Sequence, residues 1–104
     1  MNQTLSKIKR LEKYVNHSDS DDQILDITIN KILHREINKI QTQIEGFDHQ
    51  LNQYHKKYDL DSISFEKQFE NGELGDNIDF IEWSSTIEMK RNAEEHILNL
   101  QGNN

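Results

Sequence analysis

The most regular pattern in this chain is a row of apolar residues in its middle part, spaced alternately by four and three positions. The row consists of Leu33, Ile37, Ile40, Ile44, Phe47, Leu51, Tyr54 and Tyr58. This is the heptad spacing of a coiled coil, in which one narrow apolar stripe faces a partner helix. The residues between are almost all polar or charged. We therefore expect a long helix that buries this seam against its own chain or a second copy.

Helical periodicity elsewhere predicts three more helices in a single domain, residues 1–104. The first covers residues 4–15, the long helix residues 22–57 and the last residues 79–100. A short helix between them begins at Asp61 or Ser62 and ends before Gly72, since these residue types favour helix starts and stops. Ser20 followed by Gln23 matches a capping box for the long helix. Asp79, with Glu82 three residues later, occupies a cap position for the last helix.

These lengths predict an all-α fold: a long antiparallel helical hairpin or coiled coil, with a short N-terminal helix and a small helix at the tip. Short connections force consecutive helices to run antiparallel. The first helix would then lie along the front of the long helix and the last helix along its rear. Gly46 leaves open whether the long helix bends or breaks there, because glycine weakens a helix interior. The seam residues Leu33, Ile37, Ile40, Ile44, Phe47 and Leu51 are also candidates for self-association, which favours a homo-oligomer, a dimer.

The composition restricts the possible functions. Cysteine is absent, which excludes disulfides, thiolate nucleophiles and cysteine zinc sites. Only 33% of the residues are apolar, against about 45–50% in ordinary globular domains, which argues against a deep pocket. No apolar run approaches the ~18 residues of a membrane span. The first residues also lack the apolar core of a signal peptide, so we expect a cytoplasmic protein without a membrane partner.

The charge is concentrated in one segment. Residues 59–82 contain eight acidic residues and one lysine, whereas acidic and basic residues balance in the rest of the chain. An acidic surface repels phosphate backbones and attracts basic proteins, so nucleic acid is disfavoured as a partner. The first helix has a basic face formed by Lys7, Lys9, Arg10 and Lys13. A strip for RNA or a membrane surface is one interpretation of this face, and a simply solvated face is the other.

No pattern predicts an enzyme or a bound cofactor. The five histidines, at positions 17, 34, 49, 55 and 96, contain no pair at the four-residue spacing of a helical metal site. The serines lack the glycine-flanked motif of a nucleophile. The carboxylates Glu73, Asp76, Asp79 and Glu82 could bind a hard cation, but they do not follow the calcium-loop pattern. A carboxylate metal site with hydrolytic activity is therefore an alternative, and helix caps and solvated faces explain these residues as well.

Three of the eight aromatic residues, Phe65, Phe69 and Phe80, lie in the acidic segment, and Trp83 follows directly after it. Aromatic anchors surrounded by carboxylates would suit a basic partner protein, because anchors supply affinity and charges speed encounter. The other interpretation places these rings in a small core that holds the short helix on the hairpin. The candidate partner-binding residues are Phe65, Phe69, Glu73, Asp76, Asp79, Phe80, Glu82 and Trp83.

The same segment resembles a family of small prokaryotic helical proteins. The shared features are Tyr58-Asp59-Leu60-Asp61-Ser62, Phe65, Phe69, the run from Asn71 to Trp83 with its Gly-Glu-Leu-Gly-Asp and Asp-Phe-Ile-Glu-Trp blocks, and Glu88-Met89. Proteins with this pattern look like antitoxin-type partners of toxin–antitoxin pairs. The resemblance implies a non-enzymatic protein whose acidic block shields a basic toxin. A self-associating coiled-coil adaptor is the alternative. The chain lacks the recognisable DNA-binding motif of typical antitoxins, which places operator binding in doubt.

Overall fold

The helical prediction agrees closely with the structure, a computed structural model that describes residues 2–18 and 22–102. Four helices follow one another: α1 (Gln3–Asn16), α2 (Gln23–Tyr58), α3 (Ser62–Glu70) and α4 (Ile78–Gln101). The described residues contain no strand, and the molecule measures 60 × 24 × 22 Å. The all-α class and the elongated hairpin are therefore confirmed, with helix ends within about two residues of those expected.

Helices α2 and α4 form the hairpin, and their contacts show its register. Successive pairs along it are Tyr58 with Phe80, Tyr54 with Trp83, Asp48 with Lys90, and Ile40 with Leu100 in a shared groove. Each step back along α2 is matched by a similar step forward along α4, so the helices are antiparallel. Helix α4 therefore ends opposite about residue 37 of α2, since both helices rise equally per residue. The heptad seam of α2 is the side that α4 covers.

The core lies at the closed end of the hairpin and centres on Trp83. The indole ring is stacked between Tyr54 of α2, at a centroid distance of 5.5 Å, and Phe65 of α3, at 3.8 Å. Trp83 and Phe65 are fully buried. The indole Nε1 donates a hydrogen bond to Ser62 Oγ over 3.1 Å. Trp83 of α4 thus contacts both α2 and α3, and Leu51 and Ile87 complete the buried cluster.

Polar side chains cap the helices as their positions require. The carboxylate of Asp22 accepts from the Leu25 amide, and that of Asp61 accepts from the Ser64 amide. Helix α4 departs from prediction, because its cap is Asn77, whose side-chain oxygen accepts from the amide of Asp79. Asp79 is thereby inside the helix, and its carboxylate is available for contacts with α2. The predicted capping residue Ser20 lies outside the described residues.

Helix α1 does not cover the front of α2 as expected. None of its residues is buried. The end of α1 meets the start of α2 at a shallow cleft that includes Val15, Leu25 and Ile29. The apolar face formed by Leu5, Ile8, Leu11 and Val15 stays exposed. The pattern placed this face on one side of a helix correctly, but the packing that would bury it is not present within the chain.

One alternative that the sequence left open, and one expectation about membrane spans, can now be addressed. Helix α2 runs through Gly46 without interruption, which rules out a break at this position. Among the described residues, no helix is both long and apolar enough to cross a membrane.

We expect Trp83→Ala to lower the free energy of unfolding by about 3–5 kcal/mol, because the substitution opens a cavity where three helices meet. Urea denaturation followed by circular dichroism measures this change. Ile63→Ala is the matched control, since Ile63 is 82% exposed on α3, and it should change the stability by less than about 0.5 kcal/mol. Equal effects of the two substitutions would show that the stacked rings do not hold the helices together.

Alanine substitution at two glycines should have opposite effects. At Gly46 an added Cβ meets no atom within 4 Å, so Gly46→Ala should stabilise the protein by about 1 kcal/mol through helix propensity. Gly72 has a φ of 72°, and Gly72→Ala should destabilise it by roughly 1–2 kcal/mol, because L-residues are strained in that region. Thermal denaturation of both variants tests the prediction. A loss of stability in Gly46→Ala would contradict it.

Candidate protein-binding site

The acidic segment and the adjoining Trp83 form one end of the molecule, which we call the acidic tip and define as residues 59–83. It contains the turn after α2, helix α3, the loop after α3 and the first residues of α4. The end of α2 packs against this tip through Tyr54 and Tyr58. The sequence segment that holds the whole excess of negative charge is therefore also a single region in space.

The aromatic residues of the tip pack inward. Phe65 and Trp83 are fully buried and stacked on each other. Phe69 lies 5.3 Å from Phe65, and Phe80 lies 5.9 Å from it, measured between ring centroids. Both outer rings are only partly buried. The four aromatics thus form a core, and only the edges of Phe69 and Phe80 are available to another molecule.

Two of the predicted carboxylates are bonded within the chain. Asp79 accepts hydrogen bonds from Lys57 Nζ, at 2.6 Å, and from the Tyr58 hydroxyl. Glu82 accepts from the Tyr54 hydroxyl at 3.2 Å. These contacts join the start of α4 to the end of α2. Asp79 and Glu82 therefore position the tip as well as adding to its charge.

Glu73 and Asp76 are placed differently from the other two predicted carboxylates. Both are exposed in the loop between α3 and α4, and their side chains form no hydrogen bond or ion pair with the described part of the chain. Gly72 and Gly75 take positive φ values on either side of Glu73, which turns the loop tightly. The two carboxylates thus project from a compact loop into solvent.

Three isoleucines of the tip are exposed, Ile81 at 45% and two others more strongly, and the sequence pattern did not single out those two. Ile63 on α3 is 82% exposed, and Ile78 at the start of α4 is 62% exposed. Ile63 does not belong to the row formed by Phe65 and Phe69. Its position off this apolar face was the signal in the sequence that its side chain would be exposed. A partner at the tip would meet carboxylates and these isoleucines, with the buried rings behind them.

Ion pairs and hydrogen bonds at the tip shift several pKa values. The hydrogen bond from Lys57, followed by that from Tyr58, lowers the pKa of Asp79 below its ordinary value. The same carboxylate raises the pKa values of Lys57 and Tyr58. The backbone amide of Ser64 lowers the pKa of Asp61. These shifts all favour the charged carboxylates and the protonated lysine and tyrosine.

One polar pair at the tip was not expected from the sequence. His55 Nε2 lies 2.7 Å from Ser62 Oγ, which also accepts a hydrogen bond from Trp83. A serine hydroxyl within hydrogen-bond distance of a histidine is one part of the arrangement that activates a serine nucleophile. The neighbouring Asp61 carboxylate caps α3 by accepting from the Ser64 amide at 2.7 Å, and it forms no hydrogen bond with this histidine. Ser62 therefore connects α2, α3 and α4 through its hydroxyl.

The structure also bears on the predicted carboxylate metal site and on the predicted self-association seam of α2. In the described part of the chain, no three histidine or acidic side chains converge to hold a metal ion. Leu33 is partly buried but lies beyond the end of α4. The seam residues Ile37, Ile40, Ile44 and Phe47 are partly buried on the side that faces α4, and Leu51 belongs to the buried core. Self-association through these residues would therefore compete with the hairpin.

Comparison with known proteins adds no assignment: no family model matches the chain, and no curated protein or solved structure is similar enough to match it. The chemistry of the tip is therefore the basis for a functional proposal.

We expect the stability of the tip to fall as the pH drops below about 4, the ordinary pKa of aspartate. A carboxyl group whose pKa is lower in the folded state than in the unfolded state stabilises the fold at a pH above its unfolded-state pKa. This stabilisation disappears as the pH falls through the folded-state pKa. Folding raises the pKa values of Lys57 and Tyr58. The stability that these two groups contribute is therefore present below about pH 10, and it is lost as the pH rises above that value.

Asp79→Asn should weaken this acid dependence, because it removes a group whose pKa is lowered by folding. The measurement is the urea midpoint at neutral and acid pH. Asp76→Asn is the matched control in the loop that precedes α4, and it should retain the dependence of the unmodified protein. Identical pH profiles for Asp79→Asn and the unmodified protein would contradict the assignment of this effect to Asp79.

Proposed function

We propose that this protein is a non-enzymatic protein–protein interaction module whose acidic tip binds a basic partner protein. The observation that carries the proposal is the confinement of the net charge of −7 to one end of a rod. Charge collected on one surface raises the association rate with an oppositely charged protein and repels nucleic acid. Glu73 and Asp76 supply carboxylates that the described part of the chain does not neutralise.

The apolar part of the proposed contact comes from Ile63, Ile78 and the edges of Phe69 and Phe80. These side chains lie on α3 and on the first turn of α4, the two helices that are connected by the loop with the free carboxylates. Interfaces combine an apolar centre with a polar rim. Arginine and lysine side chains of a partner could pair with the carboxylates while their aliphatic stems cover the isoleucines.

The partner we favour is a small basic toxin, which makes the protein antitoxin-like. The Gly-Glu-Leu-Gly-Asp and Asp-Phe-Ile-Glu-Trp blocks support this proposal, because they carry the resemblance to antitoxin-type proteins and lie within the tip. Neutralisation would be steric and electrostatic: the tip would occupy the basic groove through which the toxin acts. A prokaryotic, cytoplasmic setting follows from the same resemblance.

A self-associating coiled-coil adaptor is the second candidate function. The observation that favours it is the apolar surface of α1 and the start of α2, which the chain leaves uncovered. The two functions do not exclude each other, because the tip and this surface lie at opposite ends of α2.

The double substitution Glu73→Lys with Asp76→Lys should slow association with the partner by roughly 10- to 100-fold at low salt, since it reverses the charge that steers encounter. The protein and its variants serve as baits in lysate of the cells that make it. A basic protein retained by the unmodified bait is then purified, and its association rate is measured over a range of salt concentrations.

The matched control is Glu94→Lys with Glu95→Lys, which changes the net charge equally on exposed positions in the middle of α4. This control should retain the partner. Equal capture by all three baits, or an association rate that does not respond to salt, would contradict the role of the tip. For the toxin itself, coexpression should restore growth to cells that the captured protein alone arrests, and absence of rescue would contradict neutralisation.

A further inference from the structure

The second unusual surface of the molecule is the part of α2 that extends beyond the hairpin, together with α1. Because α4 ends opposite about residue 37, the first turns of α2 have no partner from α4. Helix α1 has 14 residues, about the length of this overhang. We call residues 2–18 and 22–36 the arm.

Most of the exposed apolar residues of the chain lie in the arm. They are Leu5, Ile8, Leu11, Tyr14, Val15, Ile24, Ile27, Ile29 and Ile32. Their exposed fractions range from 38% to 79%. The hairpin has exposed apolar residues too, but they are scattered over α3 and α4. The arm is therefore the region where the chain leaves helix faces unpacked.

We infer that the arm pairs with the arm of a second copy of this chain, which gives a symmetric dimer. A half-exposed apolar side chain of this size presents on the order of 90 Å², so nine of them present roughly 800 Å². A stable interface buries about 800 Å² on each partner, whereas the largest apolar patch of a typical monomer is about 300–600 Å². The arm thus has the apolar area that a dimer requires.

The distribution of apolar residues within the arm also suits this arrangement. On α2, Leu25 and Ile29 line the cleft against α1, while Ile24 and Ile27 lie on another side of the helix. Two arms contain four helices, and a four-helix bundle covers each helix on two sides. A symmetric pair uses the same surface on both copies and closes after two subunits. The arrangement therefore accounts for apolar residues on more than one side of α2.

Charge favours a second copy over an anionic lipid surface. The arm has six basic and four acidic residues, and residues 19–21 between its two parts add two aspartates, so the segment 2–36 has a formal net charge of zero. The lysines and arginine of α1 could attract an anionic membrane. However, such binding would use α1 alone and would leave the isoleucines at the start of α2 uncovered. The acidic tips repel one another, which disfavours pairing through the other end.

The inference does not depend on the partner proposed for the tip, because it is tested on the purified chain alone. Sedimentation equilibrium at roughly 100 µM, well above a micromolar dissociation constant, should give twice the chain mass of 12.4 kDa. The double variant Ile8→Asp with Ile27→Asp should weaken the dimer by at least about 100-fold, because it places charges in the apolar interface.

The control is Ile63→Asp, which puts one aspartate in place of an exposed isoleucine of the tip. This substitution should leave the dimer intact. Far-ultraviolet circular dichroism and the near-ultraviolet signal of Trp83 check that each variant keeps the hairpin. A second measurement needs no variant: amide hydrogen exchange in α1 should slow as the protein concentration rises, while exchange in α3 stays constant.

A monomer at the highest concentration would overturn the inference, whether or not the chain then binds vesicles of phosphatidylserine and phosphatidylcholine. Exchange rates in α1 that do not depend on concentration would overturn it as well. So would a dimer that Ile63→Asp dissociates as strongly as the arm variant, because that result would place the interface at the tip.

Discussion

The stacking of Trp83 between Tyr54 and Phe65 is the interaction on which the rest of the structure depends. The indole comes from α4, and the two flanking rings come from α2 and α3. Only 33% of the chain is apolar, so few other side chains can hold three helices together. The Nε1 hydrogen bond to Ser62 fixes the indole orientation. Everything that the tip presents to solvent is positioned by this small aromatic core.

The core also divides the molecule into two surfaces with different physical properties. At the tip, buried rings are enclosed by carboxylates, of which Asp79 is bonded to α2, whereas Glu73 and Asp76 extend into solvent. In the segment 2–36, which contains the arm, charge is balanced, and the apolar side chains of the arm are exposed. An acidic surface acts over the Debye length and steers encounter, while an apolar surface acts only on contact. The two proposals for this chain follow from that difference.

Burial of the aromatics changes what a partner would recognise. If the rings were anchors on the surface, the affinity of the tip would come from aromatic contacts. In the structure, Phe65 and Trp83 are inaccessible, and Ile63 and Ile78 are the most exposed apolar groups of the tip. The carboxylates then carry more of the recognition. The proposed attraction of a basic protein therefore rests on different side chains from those that the pattern emphasised.

The sequence by itself determined the four helices, the apolar seam and the acidic segment, because periodicity, capping residues and charge are local properties. Tertiary structure decided which groups meet. Asp79 bonds Lys57 and Tyr58, more than 20 residues earlier, only because the hairpin has one register, and His55 meets Ser62 across the turn between α2 and α3. Apolar spacing predicts that α1 has a face to bury, but not what buries it. That face stays exposed, because covering it requires a surface that the hairpin does not supply.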